Sequence, residues 1–192
     1  MHICCSNCAT YPITALKHKG VTVRGLWFNP NIHPSMEYKA RLDALRQLQE
    51  LWKLDIDYVD YYGLKEYLRH VVGNEEHRCE YCYTVRLEET AQRAKGADAD
   101  AFTTSLLVSP YQKFDMIIDI GKRMQEKYDI EFYAEDFRPG FNEGRRMAKA
   151  LELYRQKYCG CIYSEMERFC KKNSGAGSQN PEDRAQKTRT AI

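Results

Sequence analysis

Seven of the eight cysteines of this chain fall into three tight groups, and this grouping restricts the possible folds more than any other feature of the sequence. The groups are Cys4-Cys5-Ser6-Asn7-Cys8, Cys79-Glu80-Tyr81-Cys82 and Cys159-Gly160-Cys161, and Cys170 stands alone. Adjacent cysteines and Cys-x-Cys pairs do not bridge one another easily, but their thiolates can converge on a soft metal ion. The fold must therefore bring three distant segments together, and we expect an iron–sulfur or zinc centre where they meet.

Eight cysteines would also suffice for four disulfides of a secreted protein, but the sequence argues against that alternative. With 192 residues, 43% of them hydrophobic, the chain has enough apolar side chains for its own core, whereas disulfide scaffolds are mostly short. The first residues show no signal-peptide pattern, and no apolar run approaches the roughly 20 residues of a membrane span. We therefore expect a soluble, cytoplasmic protein with free thiols and no membrane partner.

Short β-like runs alternate with helical patterns along the chain. The predicted strands cover residues 2–4, 21–28, 55–61, 101–108 and 130–133. Between them, apolar residues recur at helical spacing; Ser35 is a predicted N-cap, and Gly20 and Gly96 are predicted C-caps. The alternation predicts a single α/β, Rossmann-like domain over residues 1–172, with a parallel sheet flanked by helices. The polar composition of residues 173–192 predicts a disordered C-terminal tail.

The first cysteine group falls where such a fold binds its ligands, at the carboxyl ends of the strands. Cys4, Cys5 and Cys8 occupy the first strand-to-helix turn, and no glycine-rich phosphate-binding pattern is present there. Cys79 and Cys82 lie on one face at the start of a predicted helix, where the dipole and free N–H groups favour thiolates. Zinc is the structural alternative. Seven thiols exceed the four that one zinc takes, so an iron–sulfur cluster beside a second metal accounts for them better.

Seven motifs, taken in order, resemble those of one known family. They are His2-Ile3-Cys4-Cys5-Ser6-Asn7-Cys8 with Tyr11-Pro12, Phe28-Asn29-Pro30-Asn31-Ile32-His33-Pro34, Arg78-Cys79-Glu80-Tyr81-Cys82-Tyr83 with Arg86-Leu87, Phe102-Thr103-Thr104, Ser109-Pro110-Tyr111-Gln112, Glu135-Asp136-Phe137-Arg138, and Tyr154-Arg155-Gln156-Lys157-Tyr158-Cys159-Gly160-Cys161. From residue 1 to about residue 165 the chain is similar to the cobalamin-independent epoxyqueuosine reductases, QueH. The resemblance implies reduction of epoxyqueuosine to queuosine at the wobble position of tRNA, the last step of queuosine biosynthesis. It also implies a HUP-like domain that carries a 4Fe-4S cluster beside a mononuclear iron.

The reaction implied by the resemblance determines what the metal centre has to supply. Removing an epoxide oxygen to leave an alkene takes two electrons and two protons and releases water, so we expect an external one-electron donor such as ferredoxin or flavodoxin. The predicted metal ligands are Cys4, Cys5, Cys8, Cys79, Cys82, Cys159, Cys161 and Asp136. Of these, Cys5, Cys79, Cys82 and Cys161 are predicted to hold the cluster. For Asp136, a helix N-cap or a partner of Arg138 is the alternative role.

The substrate contacts are predicted from charge and aromatic residues. The net charge is only +2, but residues 138–157 carry six basic against two acidic side chains and lead directly into the last cysteine group. Arg138, Arg155 and Lys157 are therefore candidates for RNA phosphates. Tyr158 and Tyr111 are candidates for the modified base, because single-stranded bases are commonly bound by aromatic stacking.

His33 is a candidate to position the substrate or to donate a proton, and together with Tyr111 and Asp136 it completes the predicted catalytic set. A loop histidine bonded to backbone and tyrosines in the core are the alternatives for these side chains. For the whole protein, the alternative function is a zinc-bearing RNA-binding module whose thiols only hold the fold.

Overall fold

The structure is a computed structural model that describes residues 1–170. Its α-helices are α1 (Ser6–His18), α2 (Ser35–Trp52), α3 (Leu64–Val71), α4 (Arg78–Gly96), α5 (Phe114–Tyr128), α6 (Phe141–Ala150) and α7 (Ile162–Phe169). Its strands are β1 (Arg24–Phe28), β2 (Asp55–Val59), β3 (Ala101–Phe102) and β4 (Glu131–Phe132), and short 3-10 helices span Glu75–His77, Ser105–Val108 and Arg138–Gly140. The predicted tail, residues 173–192, lies outside the described residues.

The strands form two parallel pairs that the N-terminal segment joins. β1 pairs with β2 over five residues, and β3 pairs with β4 over two. His2 forms parallel bridges to both Leu26 on one side and Thr104 on the other. The spatial order is therefore β2, β1, the N-terminal segment, β3, β4, and all of these are parallel. The strands β1 and β2 lie on one side of the N-terminal segment, and β3 and β4 lie on the other. This confirms the predicted α/β class and places the topological switch point at the N-terminal segment.

All five predicted strands are longer than the strands in the structure, two of them by three residues or more. The run 21–28 is extended only from Arg24, and the run 101–108 leaves the sheet after Phe102. The second difference arises because the Thr104 side chain accepts a hydrogen bond from the Leu106 amide at 3.1 Å, which starts a 3-10 helix. The apolar residues after Thr104 are thus buried in a helical turn and not in a strand.

Helix ends also differ from the predictions at two positions. Ser35 is the first residue of α2, and Pro34 is its N-cap. Gly96 is the last helical residue of α4, with Ala97 as the C-cap. Gly20, in contrast, follows the end of α1 with φ +77°, the left-handed conformation expected just beyond a helix.

Two buried clusters fill the molecule, and the thiols belong to one of them. The first contains Trp27, Leu45 and Ile56 and lies with α2, β1 and β2. The second contains Leu87 and Ile117 and includes five of the grouped cysteines, with a sixth packed against it. Within residues 1–170, no helix combines the length and the apolar character that a bilayer crossing requires. Six of the seven grouped cysteines thus belong to the interior or pack against it.

Candidate metal centre

Three helix N-termini carry the cysteine groups. Cys5 is the N-cap of α1, and its sulfur accepts a hydrogen bond from the Cys8 amide at 3.4 Å. Cys161 is the N-cap of α7, and its sulfur accepts from the Ser164 amide, also at 3.4 Å. Cys79 and Cys82 lie in the first turn of α4. Each group therefore faces free N–H groups and the positive end of a helix dipole, both of which favour the thiolate.

The first cysteine group forms a compact triad. Among residues 1–170, Cys4, Cys5 and Cys8 are the one set of three or more cysteine, histidine or acidic ligand atoms that all lie within 4.8 Å of one another. The Cys4 and Cys5 sulfurs are 3.8 Å apart, and all three side chains are buried. Hydrogen bonds from Cys5 and Cys8 lower the pKa of Cys4, whereas burial raises the pKa of Cys5. The triad thus favours one thiolate stabilised by two thiol donors.

The second and third groups come together beside the triad. Cys82 is buried, and its pKa is raised to about 12, chiefly by burial. Arg86 opposes this rise, whereas the neighbouring Cys159, Cys161 and Cys79 add to it. Cys82 and Cys161 belong to the same buried cluster as the triad, and Cys79 packs against that cluster. Cys159 is exposed. The seven predicted thiol ligands are therefore gathered at one end of the sheet, as the spacing indicated, with Cys159 at its surface.

Two glutamine side chains donate hydrogen bonds to the sulfurs. Gln156 Nε2 lies 2.9 Å from Cys5 Sγ and 3.3 Å from Cys8 Sγ. Gln112 Nε2 lies 3.2 Å from Cys159 Sγ. Amide donors of this kind stabilise thiolates and bound clusters. Gln156 was not among the predicted site residues, although its place directly before Lys157 in the last motif was a usable signal.

A buried arginine on α2 holds the Cys159-Gly160-Cys161 turn. Arg41 donates from Nη1 to the Cys159 carbonyl at 2.8 Å and from Nη2 to the Tyr158 carbonyl at 2.9 Å. Its Nε pairs with Glu37 at 2.7 Å, which compensates the buried charge. Gly160 has φ +144°, and a Cβ there would lie 3.2 Å from Arg41 Nη1. The turn therefore requires glycine, both for its backbone conformation and for the arginine behind it.

His33 is enclosed among aromatic rings. Its side chain is 0% exposed, its ring centroid is 5.4 Å from that of Tyr62 and 5.0 Å from that of Tyr67, and neither ring nitrogen has a hydrogen-bond partner. The Tyr67 hydroxyl is also without a partner. Burial lowers the pKa of His33 to about 4. The ring is therefore neutral near pH 7, which favours a positioning role over proton donation.

Asp136 and Arg138 are joined to each other. The Asp136 carboxylate accepts from Arg138 Nε at 2.8 Å, from Nη2 at 2.7 Å and from the Arg138 amide at 3.0 Å. This pairing lowers the pKa of Asp136. Within residues 1–170, no hydrogen bond or ion pair connects Asp136 with a cysteine. The structure thus shows the alternative role, a partner of Arg138, and the metal-ligand role of Asp136 stays a prediction.

The remaining predicted substrate residues surround the exposed side of the centre. Tyr111 is 82% exposed, and its ring contacts Phe141 edge-on with centroids 5.8 Å apart. Arg155 and Lys157 are exposed on the segment that leads to Cys159. Tyr158 instead has a structural contact, because its hydroxyl donates to the His33 carbonyl at 2.6 Å. The ungrouped Cys170 is exposed at the end of α7.

Comparison with known proteins agrees with this architecture. The sequence profile of the family "Epoxyqueuosine reductase QueH" matches residues 1–167. A protein of that name from Dehalococcoides mccartyi is 38% identical over 176 residues, covering 92% of this chain and 97% of the relative. The Thermotoga maritima protein of the same name is 36% identical, covering 88% of this chain and 90% of the relative. A third, from Streptococcus pyogenes, is 34% identical over 85% of this chain and 69% of the relative. The profile and the relatives span nearly the whole described chain, which belongs to the epoxyqueuosine reductase QueH family.

Proposed function

We propose that this chain is an oxidoreductase that reduces epoxyqueuosine to queuosine at the wobble position of tRNA, in the cytoplasm, as the last step of queuosine biosynthesis. One observation carries the proposal beyond family membership: three helix N-termini bring seven thiols to the switch point of a Rossmann-like sheet. That point is where such folds bind their ligands. A centre of soft, buried thiol ligands at this place supports redox chemistry on a bound substrate.

The donor set fits thiolate-bound iron. The sulfur atoms of the buried triad all lie within 4.8 Å of one another and receive amide hydrogen bonds, and four further cysteines bring the number of thiols to seven, more than one four-ligand site takes. We assign a 4Fe-4S cluster and a mononuclear iron to these seven thiols. The assignment of Cys5, Cys79, Cys82 and Cys161 to the cluster, with Asp136 at the iron, remains the sequence-based proposal. When bound, the metals supply one-electron transfer and a Lewis acid for the epoxide oxygen.

The chain's own residues prepare the centre for this chemistry. Gln156 and Gln112 fix the orientation of three sulfurs through their amide N–H groups. Arg41 holds the turn that presents Cys159, the exposed thiol of the centre. The neutral, buried His33 lies beside this turn, because its backbone N–H donates to the Gly160 carbonyl at 2.7 Å. The protein thus preorganises the ligands, and electrons come from an external donor such as ferredoxin or flavodoxin.

The exposed side of the centre suits a single-stranded RNA loop. Tyr111 precedes Gln112, whose amide contacts the Cys159 sulfur, so its exposed ring lies next to the centre. Arg145 stands 5.7 Å from the Phe141 ring centroid, which places positive charge behind the Tyr111–Phe141 pair. Stacking of a base on such a ring contributes about 1–3 kcal/mol. We propose that Tyr111 stacks on a base of the anticodon loop and that Arg138, Arg155 and Lys157 bind phosphates, with Tyr158 beside the modified base.

The deciding experiment combines metal analysis with a turnover assay. Anaerobically reconstituted protein is expected to be brown, to contain iron and sulfide, and to convert epoxyqueuosine-tRNA to queuosine-tRNA with a low-potential reductant and no cobalamin. Nucleoside mass spectrometry detects the loss of one oxygen. Cys82→Ser is expected to lose cluster and activity, whereas Cys170→Ser, at an exposed position, is the matched control and retains both.

The result that contradicts the proposal is equally clear. Zinc without iron or sulfide, in a colourless protein that binds tRNA and leaves epoxyqueuosine unchanged, would establish the zinc-bearing RNA-binding module instead.

A further inference from the structure

Arg86 is a buried arginine without a carboxylate partner among residues 1–170. It lies on α4 one turn after Cys82 and is 2% exposed. Its Nη2 donates to Cys82 Sγ at 2.9 Å, and its Nε donates to the Cys82 carbonyl at 3.0 Å. Arg41, the other fully buried arginine in this part of the chain, pairs with Glu37 at 2.7 Å. Only one of the two buried guanidinium groups is thus neutralised by an acidic side chain.

The uncompensated charge of Arg86 needs a negative partner. A guanidinium group does not lose its proton in a protein, and a buried charge without a counter-charge strongly destabilises a fold. The Cys82 sulfur lies in direct contact with Arg86 at 2.9 Å, and Cys159 and Cys4 also act on it electrostatically. Arg86 therefore directs its positive charge at the Cys82 sulfur and interacts electrostatically with one cysteine from each of the three groups. The buried guanidinium is compensated only if the thiol centre carries negative charge.

We propose that Arg86 is a positioning residue that orients the Cys82 sulfur toward the cluster and raises the reduction potential of the centre. The hydrogen bond to the sulfur withdraws electron density from a ligand, and the buried positive charge stabilises the additional negative charge of the reduced state. Both effects favour uptake of an electron. This inference rests on the proposed iron–sulfur function and adds to it a specific residue for electron acceptance.

The first test measures the midpoint potential of the reconstituted centre by redox titration. Arg86→Gln is expected to make one-electron reduction at least tenfold less favourable, a shift of about 59 mV to lower potential. Arg93→Gln, on the same helix and exposed, removes the same charge two turns away and is expected to leave the potential unchanged. Equal potentials in Arg86→Gln and Arg93→Gln would overturn the inference while leaving the proposed function intact.

The second test detects the hydrogen bond directly in the wild-type protein and uses two variants as controls. Wild-type protein grown with ¹⁵N-arginine and reduced to its paramagnetic state is expected to show a ¹⁵N coupling in pulsed EPR, because within residues 1–170 Arg86 is the one arginine hydrogen-bonded to a cysteine sulfur. Arg86→Lys is expected to remove the signal and Arg93→Gln to retain it. Absence of the coupling in a cluster-bearing wild type, or its survival in Arg86→Lys, would refute the inference. Absence of iron and sulfide from the wild type would instead refute the proposed function, and this inference with it.

Discussion

Protonation of His33 is expected to destabilise the fold in acid, and the substitution His33→Gln removes this effect. Burial lowers the pKa of His33 from its ordinary 6.5 to about 4 and outweighs the Pro30 backbone, which raises it. The unfolded chain therefore binds this proton at a higher pH than the folded chain. The contribution of His33 to stability is complete above pH 6.5 and is lost as the pH falls from 6.5 toward 4.

The size of the effect follows from the shift. A difference of one pKa unit corresponds to about 1.4 kcal/mol, so the shift from 6.5 to about 4 amounts to about 3 kcal/mol of unfolding free energy. His2, whose pKa burial lowers to about 3, titrates in the same direction, but it is present in both proteins and cancels in the comparison. The difference between wild type and His33→Gln therefore isolates one ring.

Urea unfolding of the metal-free protein, followed by circular dichroism at a series of pH values, measures this difference. The quantity compared is the slope of unfolding free energy against pH, because His33→Gln also changes the absolute stability. His70→Gln, which removes an exposed histidine of α3, is the control and is expected to follow the wild type. Parallel curves for wild type and His33→Gln between pH 6.5 and 4 would refute the assignment of a neutral, unpartnered ring.

Three further outcomes are expected. Gly160→Ala is expected to lose about 1–3 kcal/mol of stability in urea unfolding and part of its iron in metal analysis, because φ is +144° and the new Cβ meets the Arg41 guanidinium. The control Gly73→Ala, at φ +79° with no atom within 4 Å of the new Cβ, is expected to lose stability but no iron. Gln156→Leu releases iron to a chelator faster than wild type, because two sulfurs lose their amide donor; an unchanged release rate contradicts this. Cys170→Ser retains full iron and sulfide whereas Cys161→Ser loses cluster, because a hydroxyl is a harder and less acidic ligand than a thiol; equal losses would place the exposed cysteine in the centre.

Local signals explain what the sequence predicted correctly. Alternating apolar runs and helical spacing identified the α/β class, and cysteine spacing located the thiols at helix starts, because both patterns depend on neighbouring residues. The run 101–108 was predicted wrongly as one strand because its apolar residues are equally compatible with a strand and with a buried turn. The hydrogen bond from the Leu106 amide to Thr104 decides between them, and it depends on how the segment packs beside His2.

Contacts between residues that are far apart in the sequence cannot be predicted from such local patterns. Gln156 contacts Cys5 across 151 residues of sequence, and Arg41 contacts the Cys159 carbonyl across 118. Nothing in the stretch around Arg41 distinguishes it from the solvated polar residues nearby, and the motif around Gln156 does not show which sulfur it contacts. Asp136 shows the opposite case: a conspicuous acidic residue in a family-like motif pairs with Arg138, two positions away.

The centre draws its ligands from both ends of the described chain, from Cys4 to Cys161. A chain is synthesised from its N-terminus, so a nascent polypeptide exposes the first cysteine group long before the last one exists. During that interval the early thiols have neither the amide of Gln156 nor the turn held by Arg41. A metal centre that takes ligands from all three groups can therefore assemble only after synthesis has passed Cys161. Termination before that residue leaves a polypeptide whose first thiols lack the third ligand group.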